Sequence, residues 1–411
     1  MQPNQAIRSL KGLLKHFGSS QKLEILDLQQ MKNLLEMDVP PKIWEDAFNK
    51  NLLSLSQELI QQTKQFRFDD GEIKHIYLIS FLPNLTELDL SENNISDISS
   101  ISKLKSLKKI NLSINCIKDI SGLQSLPDLT LLHLYDNKLT SYTLTLPNLV
   151  DLEISGNKGL QHKKISGLQH SPKLERLDLS ETETTDLRTI PHQLFGLKEL
   201  YLQSNNLTEI SHLSNFVDLQ CLDLGCNEQL QNIEPLKFCT QLTELSFQKT
   251  SVADLWSLQF MKNLNTLEMY KMKVVDLHPL QHLYRLERIT AYDACIIDVS
   301  PLSKLTQLKD LSIWNNKITN AETLKHNNFS NYYFSNQKVP TTDELKFYNK
   351  ILSVHSSHKQ IRKIMNYNKF RTSLTQKKNH ISVMLNNQIQ TMNKQVDLLI
   401  QIVQNSISYL D

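Results

Sequence analysis

Two histidines four residues apart are the first candidates for chemistry in this chain of 411 residues. His278 and His282 lie in the sequence HPLQH, and two histidines at this spacing on a helix can bind one metal ion. Pro279 lies between them and disfavours a helix, and no pair of carboxylates accompanies them to complete a ligand set. We therefore predict no metal site at this position.

Catalysis by a nucleophile needs a Ser or Cys beside a base. Cys221 shares a predicted strand with Asp223, but no His occupies the neighbouring positions at that level. His133 has no Ser or Cys companion, and the nine glycines form no Gly-rich loop followed by Lys and Ser or Thr. We therefore expect no catalytic residues, no cofactor and no enzymatic activity.

The elements that carry these residues belong to an internal repeat. Residues 85–98 read LTELDLSENNISDI, and residues 242–255 read LTELSFQKTSVADL with apolar residues in the same slots. Eleven such units follow one another at intervals of 20 to 25 residues, most often 22, and a weaker twelfth begins near residue 63. The eleven units begin at Leu85, Leu107, Leu129, Leu149, Leu174, Leu197, Leu219, Leu242, Leu264, Leu286 and Leu308. We expect the array to span residues 63–334.

The pattern LxxLxLxxNxIxxIxxLxxLxx resembles the 22-residue class of leucine-rich repeats. Proteins of that class include the leucine-rich regulatory subunit of protein phosphatase 1 and the bacterial internalins. The resemblance covers about two thirds of the chain and implies an α/β repeat solenoid. It implies no single function, because one fold hosts many unrelated roles.

Each LxL pair predicts a short strand, and successive strands would stack in parallel about 4.8 Å apart to form a concave sheet. The close spacing of the later Ile and Leu residues indicates 3₁₀ or irregular structure on the convex side. The Asn slot predicts a structural ladder in which side-chain amides satisfy backbone groups. Met272 and Ala294 occupy that slot without such an amide, so we expect the array to be looser between residues 270 and 296.

A repeat aligns side chains in columns across the concave sheet, and one column ends in three aromatic residues. We expect these three, Tyr270, Tyr292 and Trp314, to form an exposed ridge. Large aromatic residues and Arg are enriched at binding hot spots, although stacked aromatic pairs can also simply stabilise a sheet. The predicted protein-binding residues are Tyr201, Glu268, Tyr270, Arg288, Tyr292, Asp310 and Trp314.

Both ends of such a solenoid expose its core and need a cover. Residues 1–62 carry apolar residues at helical spacing and predict an α-helical N-terminal cap, although LEILDLQQM at 23–31 also mimics the repeat. Residues 341–411 predict a helical tail that begins with the capping-box sequence TTDE. Apolar residues at heptad spacing across 379–410 predict coiled-coil self-association, with a helical hairpin or packing on the array as alternatives.

Charge is distributed unevenly along the chain. The net charge is +2, yet residues 345–396 hold ten Lys or Arg and no Asp or Glu. This basic segment is suited to a nucleic acid, an acidic protein, an anionic membrane or the acidic concave face of its own array. The five scattered cysteines, the absence of a signal peptide and the absence of a long apolar stretch predict no membrane span and a cytoplasmic location, with the nucleus as the alternative.

The main functional hypothesis is a non-enzymatic scaffold or adaptor that binds a protein partner on the concave face. The resemblance implies a first alternative, a regulatory subunit of a protein phosphatase, because that family binds its enzyme with acidic and aromatic concave residues. A nucleic-acid-associated protein that uses the basic tail is a second alternative. A secreted adhesin similar to the internalins is disfavoured by the missing signal peptide.

Overall fold

A computed structural model of the chain describes residues 24–26, 53–55, 62–69, 71, 73–160 and 165–338. Within these residues the main element is a parallel sheet in which each of thirteen strands pairs with the next one along the chain. The strands are β3 (Gln65–Arg67), β4 (Glu87–Asp89), β5 (Lys109–Asn111), β6 (Leu131–His133), β7 (Asp151–Glu153), β8 (Arg176–Asp178), β9 (Glu199–Tyr201), β10 (Cys221–Asp223), β11 (Glu244–Ser246), β12 (Thr266–Glu268), β13 (Arg288–Thr290), β14 (Asp310–Ser312) and β15 (Asn331–Tyr333). The predicted parallel sheet is confirmed.

The strands are short because only the centre of each repeat alternates between apolar and polar residues. In β8, Leu177 is fully buried while Arg176 and Asp178 on either side of it are half-buried. Alternate side chains of a strand point to opposite faces, so the leucines fill the core and the variable residues line the other face. The sheet face that carries the variable residues is called the concave face below.

The sheet has one strand more than the twelve repeats predicted from the sequence. β15 pairs in parallel with β14, and Tyr332 occupies the position next to the core residue Leu311. The sequence NYY lacks the LxL signature, which is why the pattern did not reveal this strand. Tyr332 is 41% exposed, whereas the core residues of the preceding strands are buried.

The N-terminal segment contains two further strands, β1 (Glu24–Leu26) and β2 (Leu53–Leu55), which pair with each other in parallel. The predicted helical structure is therefore wrong at these residues. The local sequence LSL carries the period-two alternation of a strand, and EIL lies in the sequence LEILDLQQM, which resembles the repeat. The rest of the predicted cap at 1–62 lies outside the described residues. So does the predicted tail at 341–411, with its basic segment 345–396 and its heptads at 379–410.

Short 3₁₀ helices connect the strands on the convex side, as the spacing predicted. An Asp two residues before the helix often fixes its start; Asp97, Asp119 and Asp254 accept hydrogen bonds from backbone N–H groups at 2.8 Å. The helices are Tyr77–Phe81, Ser99–Lys103, Ser121–Ser125, Leu168–His170, Leu187–Thr189, Ser211–Asn215, Glu234–Phe238, Trp256–Phe260, His278–Leu280, Ser300–Leu302 and Ala321–Leu324.

Buried asparagine side chains join adjacent repeats, which confirms their predicted structural role. Asn115 Oδ1 accepts the Ile95 N–H at 2.9 Å, and its Nδ2 donates to the carbonyl oxygens of Leu90 and Leu112 at 2.9 and 3.1 Å. The same arrangement recurs at Asn93, Asn137, Asn157, Asn227 and Asn316. Two Thr residues in this slot, Thr182 and Thr250, each donate to a carbonyl of their own repeat, and Thr182 Oγ1 also lies 3.3 Å from Asn205 Oδ1 of the next repeat. The ladder of amides therefore lapses where the sequence departs from Asn.

Candidate protein-binding surface

The parallel register aligns the variable residues of successive strands into columns on the concave face. Arg176 on β8 lies beside Asp151 on β7 and Glu199 on β9, and Asp178 lies beside Tyr201. Since neighbouring strands are about 4.8 Å apart, side chains in one column touch across the repeats. The chemistry of this surface is therefore set by neighbours some 22 residues apart in sequence.

Three aromatic rings form a continuous stack at one end of the concave face. Ring centroids of Tyr270 and Tyr292 are 4.5 Å apart with an interplanar angle of 11°, and those of Tyr292 and Trp314 are 4.5 Å apart at 7°. The three are called the aromatic column below. Each ring is half-buried rather than freely exposed, because its neighbours cover its faces. Burial raises the pKa of both tyrosine hydroxyls, which keeps them protonated hydrogen-bond donors.

Polar residues with short or flexible side chains occupy the positions before and after the aromatic column. Gln248, which is 4% exposed, precedes Tyr270 in the column. After Trp314 the next position is Ser335, whose carbonyl accepts the Asn315 N–H at 2.9 Å. A Ser side chain is too short to cover an indole ring, so among the described residues the outer face of Trp314 has no stacked neighbour.

The charged residues predicted to flank the column have different environments. Arg288 Nε lies 3.5 Å from Asp310 Oδ2, so these two side chains largely neutralise each other. Asp310 also accepts a hydrogen bond from Asn331 at 2.6 Å. Glu268 forms no ion pair with any residue that the structure describes. It is therefore the uncompensated charge next to Tyr270.

Tyr201 lies apart from the aromatic column, three strands away on β9. Its hydroxyl donates to Glu199 Oε2 at 3.1 Å, and the Arg176 guanidinium lies 5.1 Å from its ring centroid. The Cys221 thiol lies 3.6 Å from the same hydroxyl. Burial, followed by the neighbouring Cys221 and Glu199, raises the Tyr201 pKa far above its usual value. The predicted binding residues thus fall into two groups rather than one patch.

Arg176 organises the centre of the concave face, a role that inspection of single motifs missed. It lies 3.0 to 3.7 Å from four carboxylates, those of Asp151, Glu153, Asp178 and Glu199. His133 also approaches Asp151, at 3.2 Å. Burial of Asp151 would raise its pKa, but hydrogen bonds from His133 and Arg176 outweigh it and the pKa is lowered. Reading the columns across neighbouring repeats would have found this group, because register alone places Arg176 between acidic residues.

Over the central strands, the concave face carries more negative than positive charge. Strands β7 to β12 present one guanidinium and seven carboxylates on this face: Asp151, Glu153, Asp178, Glu199, Asp223, Glu244 and Glu268. The pKa of Asp223 is raised, first by burial and then by the charges of Glu268 and Asp178, although the Gly225 N–H donates to its carboxylate at 2.8 Å. The face is therefore acidic where it meets the aromatic column.

The thiol on this face is not activated. Burial, with added repulsion from Glu244 and Glu199, raises the pKa of Cys221 to about 11, although the thiol is hydrogen-bonded to the Tyr201 hydroxyl. A thiol with that pKa is a poor nucleophile near neutral pH. The part of the chain that the structure describes also holds no cluster of three or more His, Cys, Asp or Glu suited to a metal ion. Within the same residues, no helix is long and apolar enough to cross a membrane.

The repeats of this chain match those of known proteins. A model of leucine-rich repeats, described as two copies, matches residues 83–125 and residues 196–238. This chain is a leucine-rich repeat protein. Proteins with these repeats generally mediate protein–protein interactions and are typically non-enzymatic.

Individual relatives support the fold of the leucine-rich repeat array. The leucine-rich repeat-containing protein 56 of Rattus norvegicus is 33% identical over 118 residues, which are 27% of this chain and 20% of that protein. The chain thus spans about a fifth of the length of this curated relative. An internalin (inlF) of Listeria monocytogenes has 24% identity and a TM-score of 0.54 over 76% of this chain and 82% of that chain. A leucine-rich repeat protein of Leptospira interrogans has 20% identity and a TM-score of 0.56 over 84% and 97%.

Proposed function

We propose that this chain is a non-enzymatic scaffold or adaptor that binds a partner protein on the concave face of its leucine-rich repeats. The observation that supports it is the aromatic column of Tyr270, Tyr292 and Trp314, stacked on three adjacent strands beside charged residues. Large aromatic side chains offer apolar contact area at small cost in conformational entropy, and they dominate binding energy at protein interfaces. The predicted residues Arg288 and Asp310 form an ion pair on the same face, four residues before Tyr292 and Trp314.

The alternative role of the column is to stabilise the sheet. Aromatic pairs contribute roughly 0.5–1.5 kcal/mol beyond their burial, so two stacked pairs are worth about 1–3 kcal/mol. The aromatic column also lies next to Met272 and Ala294, which occupy the Asn slot without contributing a side-chain amide to the ladder. Stabilisation and binding therefore have to be measured separately on the same variants.

Affinity capture with the full-length chain tests the proposal. Changing Tyr270, Tyr292 and Trp314 together to Ala should abolish recovery of its specific partner while the far-ultraviolet circular dichroism spectrum stays that of the wild type. A matched control removes three exposed aromatic rings that lie outside the strands: Phe195→Ala, Phe238→Ala and Tyr284→Ala, whose side chains are 69%, 40% and 52% exposed. The control should retain the partner. Full recovery by the folded column variant would refute concave-face binding through these rings.

A second candidate is a regulatory subunit of a protein phosphatase. The joint presence of acidic and aromatic side chains on the concave face favours it, since the phosphatase regulatory subunit that the repeats resemble binds its enzyme with residues of those types. The same capture experiment distinguishes the two, because mass spectrometry of the bound fraction would identify a phosphatase catalytic subunit. Its absence from a fraction that contains another specific partner would exclude this candidate.

A further inference from the structure

Three carboxylates on the concave face lie within ion-pair distance of no cation among the described residues. Asp223 and Glu268 occupy equivalent positions on β10 and β12, with Ser246 of β11 between them in register. Glu244 precedes Ser246 by two residues on the same strand, so it points to the same face. Two strand spacings separate Asp223 from Glu268 by about 10 Å, and Glu244 completes a triangle of similar size. These three residues are called the acidic triangle.

The cations elsewhere on the face are already engaged. Arg176 is surrounded by its four carboxylates, and Arg288 is paired with Asp310 at 3.5 Å. Lys109 is paired with Glu87 at 2.9 Å. Among the described residues, none brings a cation within ion-pair distance of the acidic triangle. The surface therefore divides into two neutralised zones with an uncompensated acidic zone between them.

This arrangement is unfavourable for the isolated chain. Mutual repulsion between Asp223 and Glu268, added to burial, raises the pKa of Asp223. A carboxyl group whose pKa is raised in the folded protein destabilises the fold at neutral pH, because the unfolded chain holds the charge more easily. A cation bound between these carboxylates would remove that repulsion. Charge complementarity thus points to a positively charged occupant.

The adjoining aromatic column is suited to the same occupant. Tyr270 follows Glu268 by two residues on the concave face and opens the stack that leads to Trp314. Arg and Lys side chains pack their apolar stems on aromatic rings and place their cationic heads over ring faces or beside carboxylates. An extended peptide presents alternate side chains to one surface about 7 Å apart, and flexible Arg or Lys side chains can span the remaining distance to carboxylates about 10 Å apart.

We infer that the concave face from β10 to β14 docks an extended, Arg- or Lys-rich segment of the partner protein, with its cations in the acidic triangle and its stems on the aromatic column. This inference rests on the proposed function and specifies the chemistry of the partner. It favours a basic protein segment over a nucleic acid, because phosphates would be repelled by the same carboxylates. Binding should weaken as salt screens the charges.

Fluorescence anisotropy with the full-length chain tests the inference. The probe is a short fluorescein-labelled peptide of alternating Arg and Ser; matched peptides carry Glu or Gln in place of Arg. The wild type should bind only the Arg peptide. The variant Asp223→Asn, Glu244→Gln, Glu268→Gln keeps the side-chain shapes and should bind it about tenfold more weakly. A control that removes three exposed carboxylates from the rest of the array, Asp128→Asn, Asp218→Asn and Glu228→Gln, should change affinity by less than about twofold.

Several results would overturn the inference. These are unchanged affinity in the acidic-triangle variant, equal weakening in the control, equal binding of the Glu peptide, or binding of a single-stranded RNA probe in its place. The proposed function fails separately. If the acidic-triangle variant still captures the partner while the aromatic-column variant does not, concave-face binding stands and the basic-segment inference falls. If both variants retain the partner, the proposed function itself is wrong.

Discussion

The asparagine ladder gives the sharpest test of how this fold is held together, because the chain offers a matched pair of neighbours. Asn205 is 6% exposed; its Oδ1 accepts the N–H groups of Thr182 and Thr184 at 3.1 and 2.9 Å. Its Nδ2 donates to the carbonyl oxygens of Leu179 and Leu202 at 2.8 and 3.0 Å. Asn206, the next residue, is exposed.

Replacing Asn205 with Ala leaves two buried N–H groups without an acceptor. Each N–H group left without an acceptor costs roughly 1–3 kcal/mol, so Asn205→Ala should lower the free energy of unfolding by about 2–6 kcal/mol. Asn206→Ala should change it by no more than about 0.5 kcal/mol. Asn205→Thr should fall between them, because Thr fills this slot at Thr182 and Thr250 and keeps one hydrogen bond.

Urea unfolding followed by circular dichroism measures these differences through the midpoint and the slope of each transition. An Asn205→Ala midpoint that coincides with that of Asn206→Ala would refute the ladder as a source of stability. A changed slope with an unchanged midpoint would mean that the array unfolds in parts, and hydrogen exchange at Thr182 and Thr184 would then report the local loss.

Three further predictions concern other parts of the chain. Ile114 has a left-handed backbone with φ of 55° and is 40% exposed, so Ile114→Asn should raise the unfolding free energy in urea by about 1 kcal/mol, whereas a decrease would contradict the strain argument. The rate of alkylation of Cys221, measured by peptide mass spectrometry, should rise with pH around the thiol pKa of about 11. The variant Glu244→Gln should shift this rise to lower pH. A rise centred near the usual thiol pKa of about 8.5 would contradict the raised pKa. A chain truncated after residue 340 should lose the oligomeric state that the full chain shows in sedimentation if the heptads at 379–410 drive self-association, and an unchanged oligomeric state would rule that out.

The array could be predicted from its periodicity, because each repeat buries apolar residues at the same positions. Leu88, Leu90 and Asn93 serve the core and the turn of one unit, and their counterparts occupy the same slots in most others. The strand register followed directly, and with it the alignment of Tyr270, Tyr292 and Trp314. Strand β15 escaped prediction because Tyr332 stands where other units have Leu or Ile.

The candidate site was harder to predict because its properties depend on neighbouring repeats rather than on single residues. Nothing within β8 alone indicates that Arg176 meets four carboxylates, since three of them come from β7 and β9. The degree of burial of the aromatic rings also depends on the stack as a whole. The sequence therefore indicated which residues share the face, and the structure indicates which of them neutralise one another.

Left-handed turns show the same limit of sequence patterns. The residue before each Asn slot has a positive φ, yet it is Glu92 in one unit, Ile114 in another and Gly156 in a third. Glycine would be the expected residue there, because it adopts this conformation without steric cost. The same conformation occurs before Met272 and Ala294, at Lys271 with φ of 55° and at Asp293 with φ of 51°, so it follows from the turn geometry that the repeats share rather than from the residue itself or from the adjacent Asn.

The most direct test of concave-face binding is the dissociation constant of the captured partner, measured by isothermal titration calorimetry with the full-length chain. Tyr292 lies at the centre of the aromatic column, and Tyr284, at 52% exposure, lies outside the column in a nearby turn. Tyr292→Ala should weaken binding at least about tenfold, as expected for a hot-spot residue, while Tyr284→Ala should leave it unchanged. Equal dissociation constants for wild type and folded Tyr292→Ala would contradict the account.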